Sequence, residues 1–190
     1  MTEPAPASAN PYEFTKDWFS KWEDSWRHHF GALAARPAHA LEIGSLEGRS
    51  AVWMLDHLLL HPESRLVCVD LFHDAEIEAR FDRNIAATGQ VAKVRKLKGH
   101  SWRHLRALEP DRFDLVYVDG SHHGLHVLED AVLSFRLLRS GGCLVFDDYP
   151  WRKDESHPVY PKDAIDAFLH LYQGSVEVLW HAWQVFVRKR

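Results

Sequence analysis

Two short apolar segments of this chain end in acidic residues, a pattern typical of parallel strands that lead into a site. Residues 113–118 are followed by Asp119, and the run at 142–147 ends in Asp147, with Asp148 next. Buried parallel strands appear in sequences as nearly continuous apolar runs. If these strands are neighbours, about 4.8 Å apart, the three carboxylates converge. They then repel one another unless a cation or a proton joins them.

This convergence predicts a site for a hard divalent cation, because carboxylate oxygens are the ligands that such ions prefer. A bound cation would lower the pKa of a substrate hydroxyl group. The histidines that follow the first acid, His122 and His123, are candidate catalytic bases, with His122 preferred. Other roles stay open. The pair Asp147-Asp148 could cap the next segment or bind an amino group, and the histidines could cap a helix.

A glycine-containing turn follows the first predicted strand, residues 39–43. Gly44 and Gly48 would let the backbone pass close to a ligand, and the helix that follows offers free N–H groups. The spacing is Glu-x-Gly-x-x-x-Gly, which differs from the Gly-x-Gly-x-x-Gly of dinucleotide-binding proteins. A tight turn alone could also require these glycines, so the loop by itself is weak evidence.

The ends of the next two predicted strands carry groups that suit an adenosine. Asp70 ends the strand at 65–70, and an acid at that place can accept hydrogen bonds from both ribose hydroxyls. The strand at 93–98 leads into His100 and Ser101, whose side chains could lie at the edge of an adenine ring. Three strand ends with complementary chemistry predict an adenosine-type ligand.

Strand and helix patterns alternate from residue 38 onward and end in a β-rich hairpin. The predicted strands are 39–43, 65–70, 93–98, 113–118 and 142–147, with hairpin strands at 176–180 and 183–187; the predicted helices are 48–61, 74–88, 101–108, 122–139 and 161–173. This order predicts the α/β class, with a Rossmann-like, doubly wound and mostly parallel seven-stranded sheet closed by an antiparallel terminal hairpin. Ligands of such sheets bind beyond the carboxyl ends of the strands.

Three regions are expected along the chain. Residues 1–11 are rich in Pro, Ala and Ser and are expected to be disordered. Residues 12–37 are expected to form an N-terminal helical segment, and residues 38–190 are expected to form the α/β domain. Four aromatic residues recur at every fourth position of the segment: Trp18, Trp22, Trp26 and Phe30. This aromatic face could mediate a homodimer or cover the site, and both roles stay open.

Composition excludes several classes of partner. The net charge of −4 gives no basic field for nucleic acid or an anionic membrane. No apolar run approaches the length of a membrane span, and the first residues do not have a signal-peptide pattern. Cys68 and Cys143 lie in strand-like runs and are expected to be buried thiols. A cytoplasmic protein that acts on a small molecule is expected.

Residues 38–188 resemble the class I S-adenosylmethionine-dependent methyltransferases. The segment from Glu42 to Gly48 is similar to their first motif, Asp70 to their ribose-binding acid, and the terminal hairpin to their reversed last strand. Within the class, residues 48–54 and the acids at two strand ends resemble the catechol O-methyltransferase and macrocin O-methyltransferase groups. In those groups the matching acids hold a magnesium ion.

The resemblance implies roles for individual residues. It places Glu42, Gly44 and Ser50 near the methionine part of S-adenosylmethionine, Asp70 on the ribose, and His100 and Ser101 beside the adenine. The full set of candidate cofactor-binding residues is Glu42, Gly44, Ser45, Gly48, Ser50, Asp70, Leu71, His100, Ser101 and Asp119. The candidate ligands of Mg²⁺ are Asp119, Asp147 and Asp148.

The chain departs from both groups. His122 stands where the catechol type has a lysine, and Ser121 stands where the macrocin type has a second acid, so the base is not carried over from either. Only residues 149–161 could form a lid, so the substrate is not readable. The leading hypothesis is a metal-assisted O-methyltransferase acting on a small hydroxylated molecule. The alternatives are a metal-independent O- or N-methyltransferase and a non-catalytic S-adenosylmethionine- or nucleotide-binding module.

Overall fold

The computed structural model describes residues 11–152 and 159–190. The strands are β1 His39–Ile43, β2 Arg65–Asp70, β3 Val94–Lys98, β4 Phe113–Val118, β5 Leu138–Phe146, β6 Val176–His181 and β7 Val185–Lys189. The helices are α1 Glu23–Phe30, α2 Arg49–His57, α3 Ala75–Ala87, α4 Ser101–Ala107, α5 Gly124–Leu137 and α6 Pro161–Tyr172, with 3₁₀ turns at Ser20–Trp22, Gly31–Ala35 and Val91–Lys93.

All seven strands belong to one sheet with the order β3-β2-β1-β4-β5-β7-β6. Strands β1 to β5 are parallel, and β7 runs antiparallel to both β5 and β6. The strand order reverses direction between β1 and β4, which is where a doubly wound sheet opens a crevice for ligands. The predicted fold class is therefore confirmed.

The two faces of the sheet bury separate apolar layers, because successive side chains of a strand point to opposite sides. In β4, Leu115 and Tyr117 pack on the side of α1 and α2, whereas Val116 and Val118 pack on the side of α5 and α6. Every residue of β4 is buried. Among the described residues, no helix combines the length and apolarity needed to cross a bilayer.

The N-terminal segment begins its helical structure at Ser20, so the helix predicted from residue 12 was wrong over its first turns. Hydrogen bonds to the domain hold residues 12–19 in a non-helical path. The backbone N–H and the hydroxyl of Thr15 each donate to the Glu47 carboxylate at 2.6 Å. The Tyr12 hydroxyl also donates to Asp56 at 2.6 Å. The N-terminal segment, residues 12–37, is consequently a strap over the domain.

Other element bounds differ from the predictions by a few residues. β5 begins at Leu138 rather than 142, because Leu138 pairs with Phe113 across an irregularity in the β4–β5 register. It ends at Phe146, so Asp147 lies just beyond it, and α5 begins only after His123. The tail at residues 1–10 and the stretch 153–158 of the expected lid lie outside the described residues.

Candidate functional site

A cavity of about 740 Å³ opens at the carboxyl edge of the sheet, over the switch between β1 and β4. Its volume falls in the usual range for small-molecule sites, roughly 300–1,000 Å³. The loops after the five parallel strands supply most of its lining, and the strap supplies one wall. The predicted cofactor residues that line it are Gly44, Ser45, Ser50, Asp70, Leu71, His100, Ser101 and Asp119.

The loop after β1 approaches the end of β4 so closely that residue 44 must be a glycine. Gly44 has a φ of +89°, and a Cβ atom there would lie 2.1 Å from the carbonyl oxygen of Asp119. The N–H of Asp119 donates to the carbonyl of Ile43 at 2.8 Å, which fixes the approach. Gly48 does not line the cavity; it adopts a left-handed conformation at the N-terminus of α2.

Asp70 fastens this loop to the end of β2. Its Oδ2 accepts the backbone N–H groups of Ser45 and Leu46, each at 2.9 Å, and its Oδ1 accepts that of Phe72 at 2.8 Å. A carboxylate offers about four lone-pair sites, so three bonds leave capacity for about one more donor. The predicted ribose acid thus lines the cavity and also shapes the loop, a second role that the sequence did not indicate.

Glu42 lies behind the loop and is fully buried. The Ser50 hydroxyl donates to its Oε1, whereas its Oε2 has no hydrogen-bond partner among the described residues. Burial raises the pKa of Glu42 to about 7, and the nearby Asp70 carboxylate adds to this rise. Glu42 therefore carries a proton over part of the neutral range.

The three acids predicted to converge all line the cavity. Burial raises the pKa of Asp119 well above its ordinary value, and the carboxylates of Asp147 and Asp148 raise it further. Burial also raises the pKa of Asp147, as does Asp148, although a hydrogen bond from Tyr117 opposes the change. These shifts favour a proton or a cation at this group of acids.

Protein donors already satisfy both oxygens of Asp147. Its Oδ2 accepts hydrogen bonds from the Tyr117 hydroxyl and from Nε2 of Gln184, the latter at 2.8 Å. Its Oδ1 accepts the N–H of Asp148 at 2.7 Å. Within residues 11–152 and 159–190, no three His, Cys, Asp or Glu side chains are grouped so that they could hold a metal ion. The acids are a suitable donor set for a hard cation, but they are not arranged as a preformed ligand triad.

Asp148 pairs with the preferred histidine. Nε2 of His122 donates to Oδ2 of Asp148 at 2.7 Å, and Nε1 of Trp183 donates to Oδ1 at 3.1 Å. The ring of His122 stacks on that of Trp151, with centroids 4.2 Å apart. Asp148 has a φ of +56°, an uncommon conformation that recurs at active sites. A histidine oriented by a carboxylate can accept a proton through its other nitrogen.

Of the two histidines singled out in the sequence, only His122 lines the cavity. His123 is the N-terminal capping residue of α5 and has its side chain outside the cavity lining. His126, in the first turn of α5, does line the cavity and shares a 3.2 Å hydrogen bond with the Ser121 hydroxyl. His126 lies four residues after His122, and this helical spacing was the signal in the sequence that could have identified His126.

Two other groups of residues line the cavity. Five come from the strap: Lys16, Trp18, Phe19, Lys21 and Trp22. The sequence left open that the aromatic face with Trp18 and Trp22 covers the site, but it did not indicate the other three. The second group is Asp130 alone, in α5, which is buried at the cavity wall beside Ser101. Burial raises the pKa of Asp130 to about 6. An acid within a helix does not stand out in the sequence. Asp130 is recognised as a lining residue only because the fold places α5 against the cavity.

We expect the unliganded protein to lose stability as the pH rises from about 4.5 to 7. In that window Glu42, with its pKa raised from 4.5 to about 7, stays protonated in the folded state but ionises in the unfolded chain. The folded state therefore binds more protons, so the free energy of unfolding falls as the pH rises. Glu42→Gln should flatten this slope and raise the Tm at pH 8 by roughly 5 °C.

Thermal melts over a pH series measure this effect, with the exposed Glu109→Gln as the matched control. The control should reproduce the slope of the unmodified chain. A slope left unchanged by Glu42→Gln would contradict the buried, protonated state of this side chain.

Comparisons with known proteins agree with this geometry. The profile of the methyltransferase domain family matches residues 41–149, more than half of the chain. The O-methyltransferase TomG from Streptomyces achromogenes, solved with S-adenosylmethionine, superposes with a TM-score of 0.67 at 21% identity, covering 83% of this chain and 76% of TomG. MycE of the mycinamycin pathway, solved with Mg, S-adenosylhomocysteine and mycinamycin VI, gives 0.65 at 17% identity, covering 92% of this chain and 50% of MycE.

One curated relative is an uncharacterized protein of Acanthamoeba polyphaga mimivirus, 26% identical over 114 residues, which are 57% of this chain and 50% of that protein. The chain thus spans about half the length of the curated relative that it matches. The solved structures are too distant in sequence to show more than the fold, whereas the domain profile covers the loop after β1 and the acids at the ends of β2, β4 and β5. The chain therefore belongs to the methyltransferase domain family.

Proposed function

We propose that this enzyme transfers the methyl group of S-adenosylmethionine to a hydroxyl group of a small molecule, with the help of a divalent cation. The observation that carries the proposal is the meeting of Asp119, Asp147, Asp148 and His122 in one cavity, beside the loop that follows β1. The glycine loop with Asp70 supports binding of the cofactor on one side of that cavity. The acids and His122 support binding of the acceptor on the other.

The side chains suit the two needs of methyl transfer from a sulfonium ion. The methyl group is already electrophilic, so the enzyme must align a nucleophile and make it more nucleophilic; alignment can be worth an effective molarity of about 10⁵ M or more. Asp148 holds Nε2 of His122, which leaves Nδ1 to accept the proton of the substrate hydroxyl. The ring stack with Trp151 restrains the orientation of the imidazole.

The charge balance of the acids supports the cation. Asp119, Asp147 and Asp148 would hold it, because oxygen ligands of this kind suit Mg²⁺. When bound, such an ion lowers the pKa of a hydroxyl group and fixes its position. Desolvation and mutual repulsion raise the pKa of Asp119 and Asp147. A positive charge among the acids would stabilise their ionised forms.

The second candidate is a metal-independent methyltransferase acting on oxygen or nitrogen. The observation that favours it is the complete set of protein donors on Asp147 and Asp148, which fixes both carboxylates through hydrogen bonds alone. In that case the acids would orient His122 and a substrate amine. We further propose a cytoplasmic enzyme of specialised metabolism; the buried free thiols Cys68 and Cys143 support the location, and the biosynthetic pathways of TomG and MycE support the metabolic role.

The first prediction from the proposed function concerns the cofactor. S-adenosylhomocysteine should bind and raise the Tm, because a ligand that binds only the folded state stabilises it. Asp70→Ala should weaken binding by about tenfold or more, since it removes a charged acceptor and loosens the loop at Ser45. Calorimetry measures both, with Asp82→Ala, a surface acid of α3, as the control. Tight binding of a nicotinamide dinucleotide without binding of S-adenosylhomocysteine would overturn the assignment.

The second prediction concerns the cation. Mg²⁺ or Mn²⁺ should support transfer of labelled methyl groups to a panel of small hydroxylated compounds, and chelation should abolish it. Asp147→Ala should remove the metal-dependent rate while S-adenosylhomocysteine affinity stays within about twofold, because Asp147 lies on the acceptor side. Full turnover after exhaustive chelation would exclude the metal role and favour the second candidate.

The third prediction assigns the base. His122→Ala should lower kcat by about 10²-fold or more, the usual scale of general-base catalysis, and should leave S-adenosylhomocysteine affinity nearly unchanged. His123→Ala is the matched control and should be much milder, because His123 does not line the cavity. An active His122→Ala variant beside an inactive His123→Ala variant would contradict the geometry. If both variants stay active, no base is needed from either histidine.

A further inference from the structure

The strap forms the wall of the cavity that faces the acids. Hydrogen bonds fasten Thr15 to Glu47, and the cavity lining begins at the next residue, Lys16, and continues with Trp18. The hydrogen bond between Nε1 of Trp26 and Gln184, at 2.9 Å, fastens the other end of the strap in the core. The residues between these two anchors are therefore held in place above the cavity.

Four tryptophans line this part of the cavity: Trp18, Trp22, Trp151 and Trp183. Trp18 is 62% exposed and Trp183 is 40% exposed, although neither is at a chain end. Large aromatic faces left open to a cavity are surfaces on which a planar ligand can stack. Trp183 and Trp151 also contact the Asp148–His122 pair directly, so a ring placed between them would lie next to the proposed base.

Two ammonium groups lie among these rings. Nζ of Lys21 is 4.8 Å from the ring centre of Trp22 and 5.2 Å from that of Trp183, and Nζ of Lys16 is 5.0 Å from that of Trp18. Neither lysine has a carboxylate partner in the described part of the chain.

The arginine that lines the cavity differs from the two lysines because its charge is already paired. Arg49 also lines the cavity, but Asp17 and Glu23 already pair with its guanidinium group. The two lysines are therefore the cations of this wall that have charge available for a ligand.

The cavity is consequently polarised. The acids and His122 lie at the edge of the sheet, whereas the ammonium groups lie on the strap. Trp183 lies between the two sides, because it contacts both Lys21 and Asp148. A ligand with a hydroxyl group at one end and an anionic group at the other would match both sides. A neutral ligand would leave the lysines unused, and a cationic one would be repelled by them.

We infer that the methyl acceptor is a planar hydroxylated acid, whose ring lies among the tryptophans and whose anionic group binds Lys21 and Lys16. This inference rests on the proposed function, because it assumes that the hydroxyl group faces His122. It adds the charge and shape of the substrate, which are set by residues outside the acid cluster and the cofactor loop. The probes are 4-hydroxybenzoate and the longer 4-hydroxycinnamate, each compared with its neutral methyl ester.

The test is calorimetry with the full chain saturated by S-adenosylhomocysteine. At least one acid should bind about tenfold more tightly than its ester, the scale of one charge-assisted contact. Lys21→Met should reduce acid affinity by about tenfold and ester affinity by less than about twofold, and Lys21→Arg should restore most of the difference. Lys98→Met is the matched control, since Lys98 pairs with Glu78 outside the cavity.

The outcomes distinguish a failure of the proposed function from a failure of the inferred substrate class. Absence of S-adenosylhomocysteine binding would overturn the proposed function and this inference with it. Normal S-adenosylhomocysteine binding with equal affinity for acid and ester, or with no binding of either acid, would overturn the inference alone. A preference for the acid that persists in both Lys21→Met and Lys16→Met would also overturn it, because the charge would then be recognised elsewhere.

Discussion

The contact between the loops that follow β1 and β4 is the constraint on which the cavity depends. The backbones meet so closely at Gly44 and Asp119 that any side chain at residue 44 would overlap the carbonyl oxygen. This approach sets the position of Asp119 at the topological switch, where the crevice opens. Asp70 then holds the loop through hydrogen bonds from the backbone N–H groups of Ser45 and Leu46. The loop after β1 and Asp119 are thus positioned by one backbone contact.

Carboxylates that are shielded from water destabilise this arrangement. Glu42 is fully buried, whereas Asp119 and Asp147 are partly buried, and desolvation raises the pKa of all three. Such groups disfavour the folded state when they ionise, so the chain places donors around them: Ser50 at Glu42, and Tyr117 with Gln184 at Asp147. A proton or a cation that neutralises these carboxylates would therefore stabilise the folded state.

The sheet and its strand ends were predictable from sequence, whereas the strap was not. Residues 113–118 form a strand as predicted because a buried parallel strand has an unmistakable apolar run, and the acid that follows must then lie at the sheet edge. The period of the aromatic residues from Trp18 to Phe30 predicted one long helix. The actual path of residues 12–19 depends on hydrogen bonds such as that from Thr15 to Glu47, between residues far apart in sequence. No local pattern encodes these.

A chain of buried hydrogen bonds connects the strap to the chemistry. Trp26, which has no exposed surface, donates to Gln184, and Gln184 donates to Asp147. The helix that carries the aromatic face is therefore both part of the core and a support for one acid of the site. Because the same segment presents Lys21 to the cavity, its docking sets the orientation of Asp147 and the position of the lysine together. The wall that would select the substrate is thus built into the fold of the domain.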